Sequence, residues 1–461
     1  MGSCESKEQA LNKEFFLDQE ERIRAEIRQR VAELYRCRKA REQFIPGVTP
    51  VAYGGRIYDE KDMQALVESA LDFWLTAGRF SEKFERELAN KFGMRHCLLV
   101  NSGSSANLLA FMALTSPKWG ERRILPGDEV VTAAAGFPTT VTPIIQYGAI
   151  PVFVDVELGT YAPSPDDIER AISPKTKAIV LAHTLGNPFD LDAVIDIVKK
   201  YNLWLIEDNC DASGSTYRGK LTGTFGDAAT FSFYPSHHLT MGEGGALLTD
   251  DSKLASIVRS LRDWGRDCWC RPGRDNSCGR RFEMQQGELP FGYDHKYIYS
   301  HLGYNLKATD MQAAVGCSQL EKLDHFTEAR RTNWAFFRNF FKTQEDFFVL
   351  PEPTPNSDPS WFGFMLLVKE NAPFSRNQIT SFLESRKVQT RLLFGGNLLR
   401  QPAFSGIKYR KIGGLPNTDA VMLRGFWIGV YPGIDRAKRE YIAEILGEFL
   451  EAARQGRVLE A

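Results

Sequence analysis

The stretch "KAIVLAHTLGNPFDLDAVIDIVKKYNLWLIED", Lys177 to Asp208, decides the fold. It reads as strand, helix, strand, with "KAIVLAH" and "LWLIED" nearly continuous in apolar residues and "DLDAVIDIVKKYN" helical between them. A strand that is apolar on both faces is buried on both faces, which points to a parallel sheet covered by helices on either side.

The same alternation extends upstream. "EKDMQALVESALDFW" and "SEKFERELANKFG" are amphipathic helices, and "HCLLVN", "DEVVTAA" and "IPVFVDV" are short apolar strands. "SSANLLAFMALT" and "PTTVTPIIQYG" are the intervening helices, and "SPDDIERAIS" opens a further one with an N-cap serine. Downstream come "ATFSFY", "GGALLTDD", a helix, a cysteine-bearing insert over about 266–295, and "TDMQAAVGCSQLEKLDHFTEARRTNWAFFRNFF", one long helix or two. The expected organisation is a charged helical preamble (1–50), a large α/β domain with a mostly parallel sheet (51–330) and a small α+β C-terminal domain (331–461).

Composition narrows the class. In 461 residues, 43% hydrophobic and 25% charged side chains match a soluble globular protein, and a net charge of −1 offers no surface for nucleic acid or membrane. No apolar run approaches the ~18 residues that span a bilayer. "MGSCES" weakly resembles a myristoylation start, but the composition fits a cytoplasmic protein better. Eight cysteines are too sparse for a disulfide scaffold. Cys4, Cys37, Cys97 and Cys317 are scattered fillers, whereas Cys268, Cys270 and Cys278 crowd into "CWCRPGRDNSC", a pattern that suits metal binding.

Two segments carry chemistry at strand ends, where open α/β sheets bind ligands. "VNSGSSANL" runs from a strand into a helix, so free N–H groups, Gly103 and the serines can cradle a phosphate; on its own this is a common turn. "LWLIEDNCDASG" ends a strand on Glu207 and Asp208, and a carboxylate there can hold a pyridinium nitrogen protonated or be an ordinary acidic turn.

Taken in order, the strand–SGS–helix, "GFPTT", the strand ending "ED", "SFYPSH" and "GEGG" resemble the pyridoxal-phosphate aminotransferases of nucleotide keto-sugars, with an aspartate-aminotransferase-like large domain. That family's loop carries a lysine five positions after the serine. Here Ser232 leads to His237, and no lysine stands between Ser232 and Gly245. With "AHTLGNPFDL", "GYDHKYIYSHLGYNLKATDMQAA" and "NSDPSWFGF", the chain most resembles the NDP-4-keto-6-deoxyhexose 3-dehydrases over roughly residues 50–440.

The resemblance implies pyridoxamine 5′-phosphate bound without a covalent link, because histidine cannot form the imine that lysine makes yet can move a proton near neutral pH. It implies His237 as the base with Asp211 and Tyr234 nearby. Asp208 would sit on the pyridinium nitrogen and Phe137 on the ring, with Gly103, Ser104 and Ser232 on the phosphate. Asn305 would reach in from the other subunit of a homodimer, and Phe362 would lie near the substrate. It further implies a [2Fe–2S] cluster on Cys210, Cys268, Cys270 and Cys278, where spacing alone would favour a structural zinc, although zinc usually takes a C-x2-C pair and this chain has a tighter C-x-C. An NAD(P)H-dependent flavin/iron–sulfur reductase would supply electrons for C3 deoxygenation in 3,6-dideoxysugar (lipopolysaccharide O-antigen) biosynthesis. Other readings are a dehydrase without reductase coupling, one acting on a 4-keto-2,6-dideoxy nucleotide sugar, and a non-catalytic zinc-stapled scaffold. His238 is expected to be a packed or solvent-bonded residue, and His183 and His295 are left open, a lone histidine usually being structural.

Overall fold

A computed structural model describes residues 7–268, 270, 276–457 and 459. Twelve strands build its two main sheets. They are β1 (His96–Val100), β2 (Glu129–Ala133), β3 (Ile150–Val154), β4 (Thr176–Ala182), β5 (Trp204–Asp208), β6 (Ala228–Ser232), β7 (Gly245–Thr249), β8 (Phe348–Val349), β9 (Gly363–Val368), β10 (Thr390–Arg391), β11 (Arg410–Lys411) and β12 (Gly425–Gly429).

The large sheet has the spatial order β1-β7-β6-β5-β4-β2-β3-β11, and every strand but β7 runs the same way. Side chains alternate across it. Leu98, Val100, Val130, Val180, Trp204 and Ile206 pack under helices Gly103–Leu114, Pro138–Tyr147 and Ser252–Arg262. On the opposite face, Val131, Ile179, Leu181 and Leu205 meet Leu191–Tyr201, while Cys97, Leu99 and Phe231 meet Arg79–Phe92 and Asp310–Leu320. Burial on both faces is the reason these strands are apolar throughout. The mostly parallel, doubly covered sheet expected from the sequence is present.

The second sheet, β8-β9-β12-β10, is antiparallel and packs on helices Leu323–Phe341, Arg376–Ser385 and Arg436–Arg454. The long helical stretch after the insert is two helices, Asp310–Leu320 and Leu323–Phe341. Leu323 and Phe326 belong to the large body's core and Phe337 and Phe341 to the C-terminal one, so residue 330 falls inside a helix shared by both. The preamble is one helix, Lys7–Lys39, tied to helix Glu60–Asp72 by Arg24–Glu68 (2.9 Å) and Arg28–Glu68 (3.0 Å) pairs. Ser164 stands at the N-cap of Pro165–Ala171 without a side-chain cap bond; Pro165 starts that helix instead. Gly2 and Cys4 lie outside the described residues. No helix among the described residues is long and apolar enough to cross a membrane.

Candidate active site

The carboxyl ends of β1, β2, β4, β5 and β6 open into one cavity of about 580 Å³. Gly103 and Ser104 enter it after β1, Phe137 and Thr139 after β2, Asp208, Cys210 and Asp211 from β5, and Ser232, Tyr234 and His237 from β6. Phe362, Arg391, Phe394 and Trp427 close it from the C-terminal body.

Glu207 and Asp208 are neighbours with different duties, because successive strand residues point to opposite faces. Asp208 faces the cavity. Its Oδ2 accepts from Asn107 Nδ2 (2.8 Å) and Thr140 Oγ1 (2.7 Å), and its Oδ1 from the Cys210 N–H (3.2 Å). Glu207 faces away, fully buried, and accepts from His183 Nε2 (2.9 Å) and the N–H groups of Gly223, Phe225 and Gly226. Burial alone would push its carboxyl up, but His183 and those N–H groups outweigh it and hold it below the ordinary range. His183 also stacks on Phe189 at 4.5 Å, so it is a structural histidine.

Across the cavity floor, helix Gly103–Leu114 presents its N-terminus, capped by Ser102 Oγ accepting from the Ser105 N–H (3.1 Å). Ser104 Oγ donates to Thr139 Oγ1 (3.0 Å). A Cβ on Gly103 would lie 2.5 Å from Ser232 Cβ and 3.1 Å from Cys210 Sγ, so no larger residue fits between the helix start and β6. Backbone N–H groups, serine hydroxyls and a cradle kept open by glycine make an anion site.

His237 stands above this floor with its ring 5.2 Å from that of Phe362 and its Nδ1 3.6 Å from Asp211 Oδ1. Burial brings its pKa down to about 4, against the pull of Asp208 and with the help of Arg330. Burial, followed by repulsion from Asp208, raises Asp211 to about 8. Burial disfavours the charged form of both partners, and His237 Nδ1 has no hydrogen-bond partner among the described residues. Next to it, His238 is buried and donates Nε2–H to the Ser360 carbonyl (2.7 Å), which makes it a latch. Tyr234 and Phe137 are each half exposed at the mouth, and Phe137 stands edge-on to Phe394 at 5.9 Å.

The insert gathers its thiols around an imidazole. Donor atoms of Cys268, Cys270 and His295 lie within 4.8 Å of one another, and Cys278 Sγ is 3.2 Å from His295 Nε2. His295 is buried, its N–H bonded to the Arg281 carbonyl (3.1 Å), and Arg281 pairs with Asp294 (2.7 Å). Burial pushes the Cys270 thiol up, but hydrogen bonds from Ser277, Cys278 and Cys268 prevail and bring it to about 7. Cys210 stands apart from this group, in the cavity wall, its thiol pushed up by burial and by Asp208.

With this geometry in view, comparison with known proteins is direct. The model of the DegT/DnrJ/EryC1/StrS aminotransferase family matches residues 56–447. The chain belongs to this family. Within it, the chain is 54% identical over 433 residues to dTDP-4-dehydro-2,6-dideoxy-D-glucose 3-dehydratase of Saccharopolyspora spinosa, covering 94% of this chain and 92% of that one. It is 53% identical over 427 residues to lipopolysaccharide biosynthesis protein RfbH of Salmonella typhimurium, with 93% and 98% covered. The structure of E. coli GDP-4-keto-6-deoxy-D-mannose-3-dehydratase with bound hydrated PLP superposes with a TM-score of 0.77 at 28% identity, covering 86% of this chain and all of that one. The resemblance drawn from the motifs is borne out, as is the PLP-dependent aminotransferase-like fold.

Of the residues singled out from the sequence, Gly103, Ser104, Phe137, Asp208, Asp211, Ser232, Tyr234, His237 and Phe362 meet in the one cavity, and so does Cys210. Asn305 is exposed outside it, bonded to Lys307 Nζ at 2.9 Å. Sequence reasoning missed Asn107 and Thr140, which hold Asp208, Arg391 at the mouth, and His295 among the thiols. For His295 a signal existed: it closes the same insert as the cysteines.

Proposed function

We propose that this chain dehydrates C3 of a nucleotide-linked 4-keto-6-deoxyhexose with pyridoxamine 5′-phosphate held non-covalently. One observation carries this reading: where the family has its lysine, His237 lines the same cavity as Gly103, Ser104, Phe137, Asp208 and Ser232. The residues fit the cofactor. Asp208, fixed by Asn107 and Thr140, would accept from the pyridinium nitrogen, and Phe137 would cover the ring. Gly103, Ser104 and Ser232 would hold the phosphate in the cradle that a Cβ would fill. When bound, pyridoxamine phosphate supplies an amine for the C4 ketone and a ring that takes up electron density.

His237 then moves the proton at the cofactor's C4′ atom, as its neutral form allows. Asp211 stands 3.6 Å from Nδ1, Tyr234 lies in the same loop as the base, and Phe362 backs the ring and screens it from water. Arg391 at the mouth is the cation suited to the nucleotide's diphosphate. We further assign Cys210, Cys268, Cys270 and Cys278 to a [2Fe–2S] cluster fed by an NAD(P)H-dependent flavin/iron–sulfur reductase, and Asn305 to the neighbouring site of a homodimer. Three thiols gathered at His295 support the cluster; Cys210 stands apart from them in the cavity wall.

The likeness to the S. spinosa enzyme favours a second substrate, a dTDP-linked 4-keto-2,6-dideoxy sugar. The test loads anaerobically purified protein with pyridoxamine phosphate and offers both sugars, with iron and sulfide assayed on the same sample. Loss of one water from C3, read by mass spectrometry, supports the reading, and the preferred substrate selects between the two. An aminated sugar, or no turnover of either sugar, sinks it. Zinc in place of iron removes the redox half alone.

A further inference from the structure

Arg330 sits in the interior of helix Leu323–Phe341 and is 1% exposed. One arm of its guanidinium donates to the Trp361 carbonyl (3.1 Å) and the other to the His237 carbonyl (3.3 Å). Its Nε has no hydrogen-bond partner among the described residues, and Asp211 acts on it only through space. A buried cation without a close counter-charge is costly, so its placement calls for a return beyond packing. The two carbonyls it joins belong to different bodies. His237 is in the loop after β6, and Trp361 precedes Phe362 at the start of β9. Those same two segments supply the ring pair His237–Phe362, and the guanidinium lies 5.8 Å from the Phe362 centroid.

We propose that Arg330 is a positioning residue for the base, clamping the His237 peptide to the Trp361–Phe362 segment so that the imidazole keeps its place against the Phe362 ring. This rests on the reading of His237 as the base. The fork geometry matters, because a planar guanidinium reaches two carbonyls at once where an ammonium is a point charge. His238, donating to Ser360, latches the loop to the same segment, but only Arg330 grips the peptide of His237 itself.

The experiment uses the full chain with Arg330→Met and Arg330→Lys. At one fixed pH the ring-proton signals of His237 are read by NMR on histidine-labelled, cofactor-free protein, and kcat and KM for C3 dehydration are measured beside them. In Arg330→Met the His237 ring signals lose the shift imposed by the Phe362 ring, and kcat falls at least tenfold while KM moves less. Arg330→Lys, a point charge in place of a fork, recovers part of kcat. A folded Arg330→Met with unchanged His237 ring signals and kcat overturns the proposal. Where Arg330→Met does not fold, an Arg330→Lys with wild-type ring signals and wild-type kcat overturns it. Full dehydration by His237→Asn would instead overturn the role of the base and leave the NMR result for Arg330 standing.

Discussion

The cofactor cavity and the cysteine insert are built on opposite principles. In the cavity, each functional group stands within a few residues of a strand end, and Asp208 is already satisfied by Asn107, Thr140 and the Cys210 N–H before anything binds. Around the insert, the described backbone has short turns, the 3-10 turn His295–Tyr297 and two isolated bridges, Asp263–Asn305 and Arg266–Tyr299, and its thiols converge on an imidazole. The sheet places the first set of groups, whereas the second set stands on turns.

The sharpest way to break this comparison is His237→Asn. Dehydration should fall by about a thousandfold, within the range that general bases contribute, while cofactor binding measured by dialysis stays, because no covalent link is lost. A fall in both would show that the cavity is less preorganised than it looks. Next in size, Cys268→Ser should abolish bound iron and sulfide yet leave pyridoxamine phosphate affinity unchanged; joint loss would mean that the two regions fold as one.

Glu207→Ala should cost about 3 kcal/mol in urea unfolding, as expected when a buried charged network loses its acceptor. Asp208→Ala should instead weaken the cofactor more than the fold, so equal unfolding losses would erase the distinction between the two carboxylates. At Asp211 the expected effect is a slope with pH. Its folded pKa of about 8 lies above the ~3.9 of an unfolded aspartate. The folded state thus retains a proton the unfolded chain has released, and its stabilising share is complete below ~4 and lost as pH rises toward 8. Asp211→Asn removes that slope. In the cofactor-free protein, its melting temperature should gain on wild type between pH 5 and 8, and parallel curves would show that Asp211 ionises normally.

Much of the fold was legible because buried parallel strands need apolar residues on both faces, and short runs such as "LWLI" and "VLA", set between helical stretches, meet that need. The cavity was legible for a related reason: strand ends are fixed in sequence, so the groups after β1, β2, β5 and β6 could be named from their motifs. What stayed hidden depends on distance. Arg330 meets His237 across 93 positions from the middle of a helix, and nothing local separates it from Arg331, which donates to the carbonyls of Asp358 and Pro359. Thr140 and Asn107 are likewise ordinary helix residues until the sheet brings Asp208 to them. The shared helix Leu323–Phe341 blurred the domain boundary because its periodicity continues unbroken while its packing partner changes.

Strand β11 has a consequence for how the protein is made. Arg410 and Lys411 pair in parallel with Val152 and Phe153, and Arg410 anchors there through Glu129 at 2.7 and 3.0 Å. On the ribosome, β3 is synthesised long before this partner. Its hydrogen-bonding edge stays open while the remainder of the sheet and most of the second body emerge. A nascent chain stalled or truncated before residue 410 therefore presents an unpaired edge, the surface on which strands from other chains add and aggregation starts.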